Sequence, residues 1–266
     1  MTTKLRGGIA VIMQPVTLIA NHKLHGSLQS VQDFIRAVEI SRKAAPNVQV
    51  MLCPPSLYLH VALKAKSADG VTICAQSVSM YVGGAHTGEI SAVMLADIGV
   101  RHTLVGHSEE RARKHLSDDD VLQASLHAVH AGIVPVICIG ESADDYASGN
   151  TCAALTHQLQ TLQSVLATGA PMMLAYEPLW AIGSGKTPKI NEIAEAHAHI
   201  HAHLKCTKEA RDTPIPVLYG GSVKQENISE ILAVLGVNGA LIGSASLNSN
   251  DFTAMLHDAQ RRAKGS

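Results

Sequence analysis

Short, nearly continuous apolar runs recur along the chain, and longer, more polar stretches separate them. Continuous apolarity is typical of strands that are buried on both faces, as the strands of a parallel sheet are. The runs that predict strands are residues 16–20, 48–52, 71–75, 103–106, 134–139, 172–176, 215–219 and 239–243.

Amphipathic stretches lie between these runs and predict helices. The clearest is residues 31–44, where apolar side chains recur at helical spacing. Ser30 and Asp33 resemble a capping signal at its start. Residues 121–131 and 227–236 also predict helices.

Alternation of about eight strands and helices in a chain of 266 residues predicts one closed (β/α)8 barrel, an α/β fold with a parallel sheet inside a ring of helices. The alternative is a doubly wound open sheet, which predicts a GxGxxG motif after an early strand, and the sequence has none. No composition break divides the chain. We therefore expect a single domain over residues 15–266, preceded by an extension of unknown role over residues 1–14.

Composition narrows the class of protein. The chain is 46% hydrophobic and 16% charged, with a formal net charge of −1, so no global field favours nucleic acid or an anionic membrane. No apolar run has the length of a membrane span, and the N-terminal run is short for a signal peptide. Five cysteines without CxxC spacing predict buried, reduced thiols in a cytoplasmic protein.

The segment AYEPLWAIGSGKT, residues 175–187, carries the most chemical information. Glu177 directly follows an apolar run, and Pro178 cannot continue a sheet ladder, so the carboxylate is expected where a strand ends. The apolar and then glycine-rich residues that follow suit a loop that closes and excludes water. A carboxylate in such a water-poor site can serve as a general base near neutral pH.

This segment resembles the catalytic-glutamate and lid region of the triosephosphate isomerase family. Further motifs match that family in the same order and at similar spacing, from about Val16 to Ala254. They are ANHKLHGS, AHTGEIS, VGHSEER, VPVICIGE, LYGGSV and ALIGSAS, at residues 20–27, 85–91, 105–111, 134–141, 218–223 and 240–246.

The resemblance implies an isomerase of glycolysis and gluconeogenesis that interconverts dihydroxyacetone phosphate and glyceraldehyde 3-phosphate through an enediol(ate), without cofactor or metal. Glu177 would move the proton and His107 would polarise the substrate oxygen. Because His107 precedes the first turn of a short helix, the positive helix end disfavours its imidazolium form. Lys23 would stabilise negative charge, Asn21 would orient the oxyanion side, and Glu109 would bond to Lys23.

The resemblance also implies a phosphate site, a lid and a homodimer. Backbone groups would bind the phosphate at Gly183, Ser222, Gly243 and Ser244. The lid and its apolar clamp would comprise Pro178, Trp180, Ile182 and Leu241. Thr87, in the loop 80–91, would reach the neighbouring subunit's site.

Other functions stay open at this point. A catalytically silent phosphate-binding barrel would keep the pocket without turnover, although the intact lysine, histidine and glutamates argue against it. A different phosphate-binding barrel enzyme would need another residue in place of Glu177. The histidines in residues 197–203 form i,i+4 pairs that could chelate a metal, but no carboxylate or thiol accompanies them, so we expect a polar outer helix face. Cys138 has no partner base and is expected to be structural.

Six positions depart from the family pattern, of which Ser184, in place of a lid threonine, is the mildest change. His22 replaces a tryptophan, and Leu24 replaces a methionine. Glu110 stands where an arginine usually follows Ser-Glu, whereas Arg111 keeps the next arginine, so we expect one structural ion pair to be lost. His86 replaces an aromatic residue in the dimer loop, and Ser244 replaces a glycine of the last phosphate turn. Ser244 is expected to have ordinary right-handed backbone, since residues 244–246 predict a helical turn.

Overall fold

Parallel strands form the inner wall of the molecule in the computed structural model, which describes residues 15–182, 187–207 and 214–264. Within these residues eight strands close into a barrel in chain order, and β1 pairs with both β2 and β8. The closed barrel confirms the predicted (β/α)8 class and excludes the open sheet. The strands are β1 (Val16–Asn21), β2 (Val48–Cys53), β3 (Thr72–Ala75), β4 (His102–Val105), β5 (Val134–Ile139), β6 (Met173–Tyr176), β7 (Val217–Tyr219) and β8 (Gly239–Ile242).

Helices surround the barrel and cover its outer face. They are Leu28–Arg42, Leu59–Ala65, Ala92–Asp97, Ser108–Lys114, Asp118–His130, Ala143–Ala147, Thr151–Thr161, Gln163–Leu166, Ile190–Cys206, Ile228–Ala233 and Ser249–Lys264. Short 3-10 turns cover Ser56–Tyr58, Leu179–Ala181 and Ser244–Ser246. The three predicted helices are present, with ends that differ by a few residues.

The predicted cap of the first helix is wrong. Ser27, rather than Ser30, caps the helix: its hydroxyl accepts from the Ser30 N–H, and the Ser30 hydroxyl accepts from the Ser27 N–H. This reciprocal pair satisfies two N–H groups that the helix start would otherwise leave unbonded. Asp33 instead accepts from Gln29 and Arg36 on the exposed face.

The apolar core has two layers, because side chains along each strand alternate between the lumen and the helices. Leu18 packs outward under the helices, whereas its neighbour Ile19 points into the lumen, and both are fully buried. The lumen contains Ile19, Met51, Cys53, Cys74, Leu104, Val136, Cys138, Met173, Ala175, Leu218 and Leu241. This filling closes the barrel below its mouth, so a ligand can enter only from the loops.

The cysteines only partly follow the sequence prediction. All five are free, and the three in strands are buried, but Cys152 and Cys206 are exposed because they lie on the outer sides of helices. In the described part of the chain no helix is both long and apolar enough to cross a membrane. The proposed extension, residues 1–14, lies outside the described residues, as do the lid residues 183–186.

Candidate active site

The predicted catalytic side chains meet at one mouth of the barrel, at the carboxyl ends of the strands. Asn21 ends β1 and Glu177 directly follows β6, while His107 follows β4 at the start of a helix. Lys23 Nζ lies 2.6 Å from Glu109 Oε1, and His107 Nε2 lies 3.2 Å from Glu177 Oε1. Residues that are far apart in sequence are therefore in contact, as the order of the motifs predicted.

Hydrogen bonds hold both the backbone and the side chain of Glu177. Its N–H donates to Ile139 O at 2.7 Å, and the Ser108 N–H donates to its Oε2 at 2.9 Å. Its Oε1 is buried, and no hydrogen bond reaches it from the described residues, since the approach of His107 Nε2 lacks hydrogen-bond geometry. One oxygen is thus anchored, and the other is free to act as an acceptor.

Two glycines that we did not predict make room for Glu177. A Cβ on Gly140 would lie 1.7 Å from Glu177 O, and a Cβ on Gly220 would lie 2.8 Å from Glu177 Cγ. Neither distance is possible for real atoms, so both positions need glycine if Glu177 is to stay in place. The sequence signal was available, because both glycines directly follow predicted strands.

His107 has a defined proton arrangement. It caps the helix Ser108–Lys114, and its Nδ1 accepts from the Glu109 N–H at 3.3 Å. A ring nitrogen that accepts cannot carry the proton, so the neutral ring holds its proton on Nε2, the atom that faces Glu177. A neutral His107 would therefore donate from Nε2, and the role expected from the sequence stays a prediction.

Lys23 occupies a strained backbone conformation with a φ of 48°. A non-glycine residue in this region costs on the order of 1–3 kcal/mol and persists only when neighbours hold it. Here Asn21 Oδ1 accepts from the Lys23 N–H at 3.0 Å. Gln76 Nε2 donates to Lys23 O at 2.8 Å and to Cys53 O at 2.9 Å. Sequence reasoning missed Gln76, although it directly follows β3.

The predicted phosphate turn after β8 lies against Lys23. A Cβ on Gly243 would lie 3.0 Å from Lys23 Cε, so a glycine here lets the lysine pass over the turn. Ser246 closes this turn, because both its N–H and its hydroxyl donate to Gly243 O. Ser244 lies in the 3-10 turn without positive φ, which confirms its predicted backbone. Ser222 O accepts from Asn227 Nδ2 at 3.0 Å.

The first residues of the predicted lid are tied down beside the site. Pro178 is buried, and Trp180 Nε1 donates to Glu141 Oε1 at 2.7 Å while its ring stacks on Tyr146. Burial raises the pKa of Glu141, whose Oε1 also accepts from Tyr176. Ile182 ends the 3-10 turn, and the predicted phosphate donor Gly183 lies outside the described residues.

The lumen beneath the site is apolar. Leu241 is buried there with Cys138, and burial raises the pKa of the Cys138 thiol well above its ordinary value. A thiol with a raised pKa is a poor nucleophile at neutral pH, which agrees with a structural cysteine. His22, the replacement for tryptophan, is buried with its ring edge against Phe34. Burial lowers the pKa of His22 to about 4.

Thr87 lies in residues 79–91, which we call the arm; residues 81–88 are exposed, whereas its ends at Ser79 and Ser91 are buried. Ser79 N–H donates to Ile90 O at 2.9 Å and closes the base of the arm. The rings of Tyr81 and His86 stack with centroids 3.6 Å apart, so His86 packs against another ring within the arm.

The histidines of residues 197–203 do not form the uniform outer face that we expected. His197 is fully buried, because it shares one side of its helix with Ile193, Ile200 and Leu204. His197 and His201 both contact Gly236 O, and His199 pairs with Thr156 Oγ1. Among the described residues no group of three or more potential ligands is placed to hold a metal ion.

Known proteins resemble this chain over most of its length. The family model described as triosephosphate isomerase matches residues 16–259. A triosephosphate isomerase from Acidiphilium cryptum is 37% identical over 257 residues, which cover 93% of this chain and 99% of the relative. Those from Jannaschia sp. and Rhizobium meliloti are 40% and 39% identical, over 80% and 88% of this chain and 86% and 92% of the relatives.

Proposed function

This chain belongs to the triosephosphate isomerase family, and we infer that it is an isomerase that interconverts dihydroxyacetone phosphate and D-glyceraldehyde 3-phosphate. The observation that carries this function is the approach of Glu177 to His107, with Lys23 at the same mouth. A base, a neutral hydrogen-bond donor and a fixed cation are the groups that proton transfer next to a carbonyl requires.

Glu177 takes a proton from the hydroxymethyl carbon of dihydroxyacetone phosphate, and the electron pair of that C–H bond moves toward the carbonyl oxygen. The product of this step is an enediolate. Return of a proton to the adjacent carbon, with a proton exchanged between the two oxygens, gives the aldehyde. The free Oε1 suits this role because the described residues leave it without a bond, while Ser108 holds Oε2.

His107 donates from Nε2 to the oxygen on which negative charge develops. The Glu109 N–H fixes the ring from the other side, so the donor needs no reorientation during the reaction. Lys23 adds a positive charge whose place is set by Asn21 and Glu109. Electrostatic stabilisation of this kind is stronger in a site that excludes water.

The substrate phosphate binds at the turns after β7 and β8. We assign its donors to the backbone at Ser222, Gly243 and Ser244, together with Gly183 of the lid. Closure of the lid would bring Ile182 toward Leu241 over Glu177. Exclusion of water then protects the enediolate from loss of phosphate.

Turnover of each triose phosphate in a coupled assay tests the function directly, with a chelator present in a parallel sample. Glu177→Asp retracts the carboxylate by about one bond, and a misplacement of about 1 Å costs about 10²-fold in rate. A folded Glu177→Asp variant with a near-normal kcat would show that Glu177 is not the base. Absence of turnover in the native protein would favour the silent phosphate-binding barrel.

We also propose that the protein is a homodimer. Large apolar side chains are exposed near the arm and the first loop, including Leu24 (94% exposed), Leu57 (80%) and Val82 (63%). Apolar side chains of this size gain most from a partner surface. In the dimer, Thr87 would reach the neighbouring site near Asn21. Sedimentation over a dilution series tests this state, and a fully active monomer at micromolar concentration would contradict it.

The cytoplasm is the compartment that suits the chemistry of this chain. All five cysteines are free, including the exposed Cys152 and Cys206. Exposed thiols stay reduced where glutathione and thioredoxin act. Localisation of a tagged full-length protein by microscopy or fractionation tests this proposal.

A further inference from the structure

Lys114 lies between two carboxylates from different parts of the chain. Its Nζ donates to Glu89 Oε1 at 2.8 Å and lies 3.2 Å from Glu110 Oε1. Glu89 belongs to the arm, whereas Glu110 and Lys114 are one turn apart on the helix Ser108–Lys114. The ammonium group therefore joins the arm to the helix that begins at the active site.

Both carboxylates pair with this cation. The side chain of Glu110 is only 9% exposed, and a buried carboxylate is costly unless it is paired. In the described part of the chain, no other lysine or arginine forms an ion pair with Glu89 or Glu110. The hydrogen bond from Lys114 is also the main reason that the pKa of Glu89 is lowered.

The position of this cation differs from the family pattern. An arginine usually follows Ser-Glu in that pattern, but this chain has Glu110 there and a lysine four residues later. Residues at i and i+4 lie on the same helix face, so the long side chain of Lys114 reaches the space beside position 110. The positive charge is thus present, one turn further along the helix.

We propose that Lys114 is the positioning residue of the arm, replacing the arginine that position 110 lacks, and that the arm so placed receives a second copy of this chain. The second part rests on the homodimer proposed above. Stacking of Tyr81 on His86 organises the outer half of the arm, and the bond to Glu89 fixes its inner end. Thr87 lies between these two restraints.

Hydrogen exchange tests the first part on the full-length protein. Lys114→Met keeps the length of the side chain but removes its charge. We expect the amides of Ser79 and Glu89, which bond within the arm, to exchange about tenfold faster. Lys114→Arg keeps the cation and should stay within about threefold of the native rates. Lys205→Met is the matched control, since Lys205 is exposed and has no ion pair among the described residues.

Sedimentation velocity over a dilution series tests the second part. We expect Lys114→Met to raise the dimer Kd by about tenfold, and Glu110→Arg in that background to return it to within about threefold of the native value. The arginine would supply the missing cation from the family position. Above each variant's Kd, kcat should stay within about twofold, because the end of a seven-residue helix lies about 10 Å from its start at His107.

The outcomes separate this inference from the proposed function. Native exchange rates in the arm of Lys114→Met would overturn the positioning role. A native dimer whose Kd is unchanged by Lys114→Met, or is not restored by Glu110→Arg, would overturn the inference alone. A native protein that turns over substrate as a monomer would overturn the homodimer and the second part of this inference, and would leave the isomerase activity standing.

Discussion

Gly220→Ala is the most direct test of whether the position of the Glu177 side chain determines kcat. Gly220 follows β7, and its N–H donates to Tyr176 O at 2.7 Å, so its backbone cannot easily retreat. Gly220 does not have the positive φ that would exclude alanine. The added methyl group would lie 2.8 Å from Glu177 Cγ, whereas carbon atoms in contact normally stay about 3.5–4.0 Å apart.

The side chain of Glu177 must therefore move by roughly 0.7–1.2 Å, since hydrogen bonds hold the backbone of both Glu177 and Gly220. A displacement of this size costs about 10²-fold in rate, or about 2.7 kcal/mol in the barrier. We expect this loss in kcat for both directions of the reaction, with KM changed by less than about threefold, because the atoms nearest the added methyl group belong to Glu177 and Tyr176 rather than to Ser222, Gly243 or Ser244. Steady-state kinetics measure both constants, and thermal unfolding confirms that the variant is folded.

The control for Gly220→Ala is the same substitution in a Glu177→Gln background. Glutamine has the shape of glutamate but cannot act as the base, so the methyl group then has no catalytic carboxylate to displace. Substitutions that act through one group are not additive, and we expect Gly220→Ala to cost less than about threefold there. Equal losses in the two backgrounds would show that the methyl group acts elsewhere. A folded single variant with native kcat would refute the displacement argument.

Three further outcomes follow from the structure. Gln76→Met removes the donor that holds the strained turn at Lys23, and kcat/KM should fall about 10- to 100-fold, as measured by steady-state kinetics. Ser244→Gly should change the affinity for a phosphate-bearing inhibitor by less than about tenfold, since its backbone is already relaxed; calorimetry that finds a larger gain would show that the serine obstructs the site. Burial lowers the pKa of His197 from 6.5 to about 4. Between about pH 6.5 and pH 4, therefore, His197 is protonated in the unfolded chain but stays neutral in the folded chain. Stability should therefore decrease from about pH 6.5 to 4, and His197→Gln should reduce the slope near pH 5 by about 1.4 kcal/mol per pH unit in urea titrations.

The barrel was predictable because its signal is local. Near-continuous apolar runs predicted each strand, and the chemistry-bearing motifs followed those runs directly, so the closed sheet necessarily gathered them at one mouth. Helix ends were less predictable, since they depend on which of several nearby serine hydroxyls accepts a hydrogen bond from an N–H group in the first helical turn. Ser27 took that role instead of Ser30 because its hydroxyl and that of Ser30 satisfy each other's N–H groups.

What the sequence did not predict are contacts across the barrel. Gln76 and Gly220 directly follow strands, but the local sequence does not show what they contact, and their importance comes from the distances to Lys23 and Glu177. His197 illustrates the opposite error, because a run of histidines suggested a polar face, while helical spacing aligned one of them with the core. A local pattern specifies which side chain is available, and the closed sheet decides what it touches.

The contacts between the charged side chains of the site join loops that follow different strands of the closed barrel. Lys23 after β1 bonds to Glu109 after β4 and to Gln76 after β3, and His107 after β4 faces Glu177 after β6. No pair of neighbouring strands contains the whole site, so the geometry of proton transfer exists only while the sheet is closed. Most substitutions in the core should accordingly lower activity by lowering the folded population. The arm differs because most of it is exposed and lies outside the barrel sheet. Its position therefore needs a separate restraint, which the ion pair from Lys114 to Glu89 supplies.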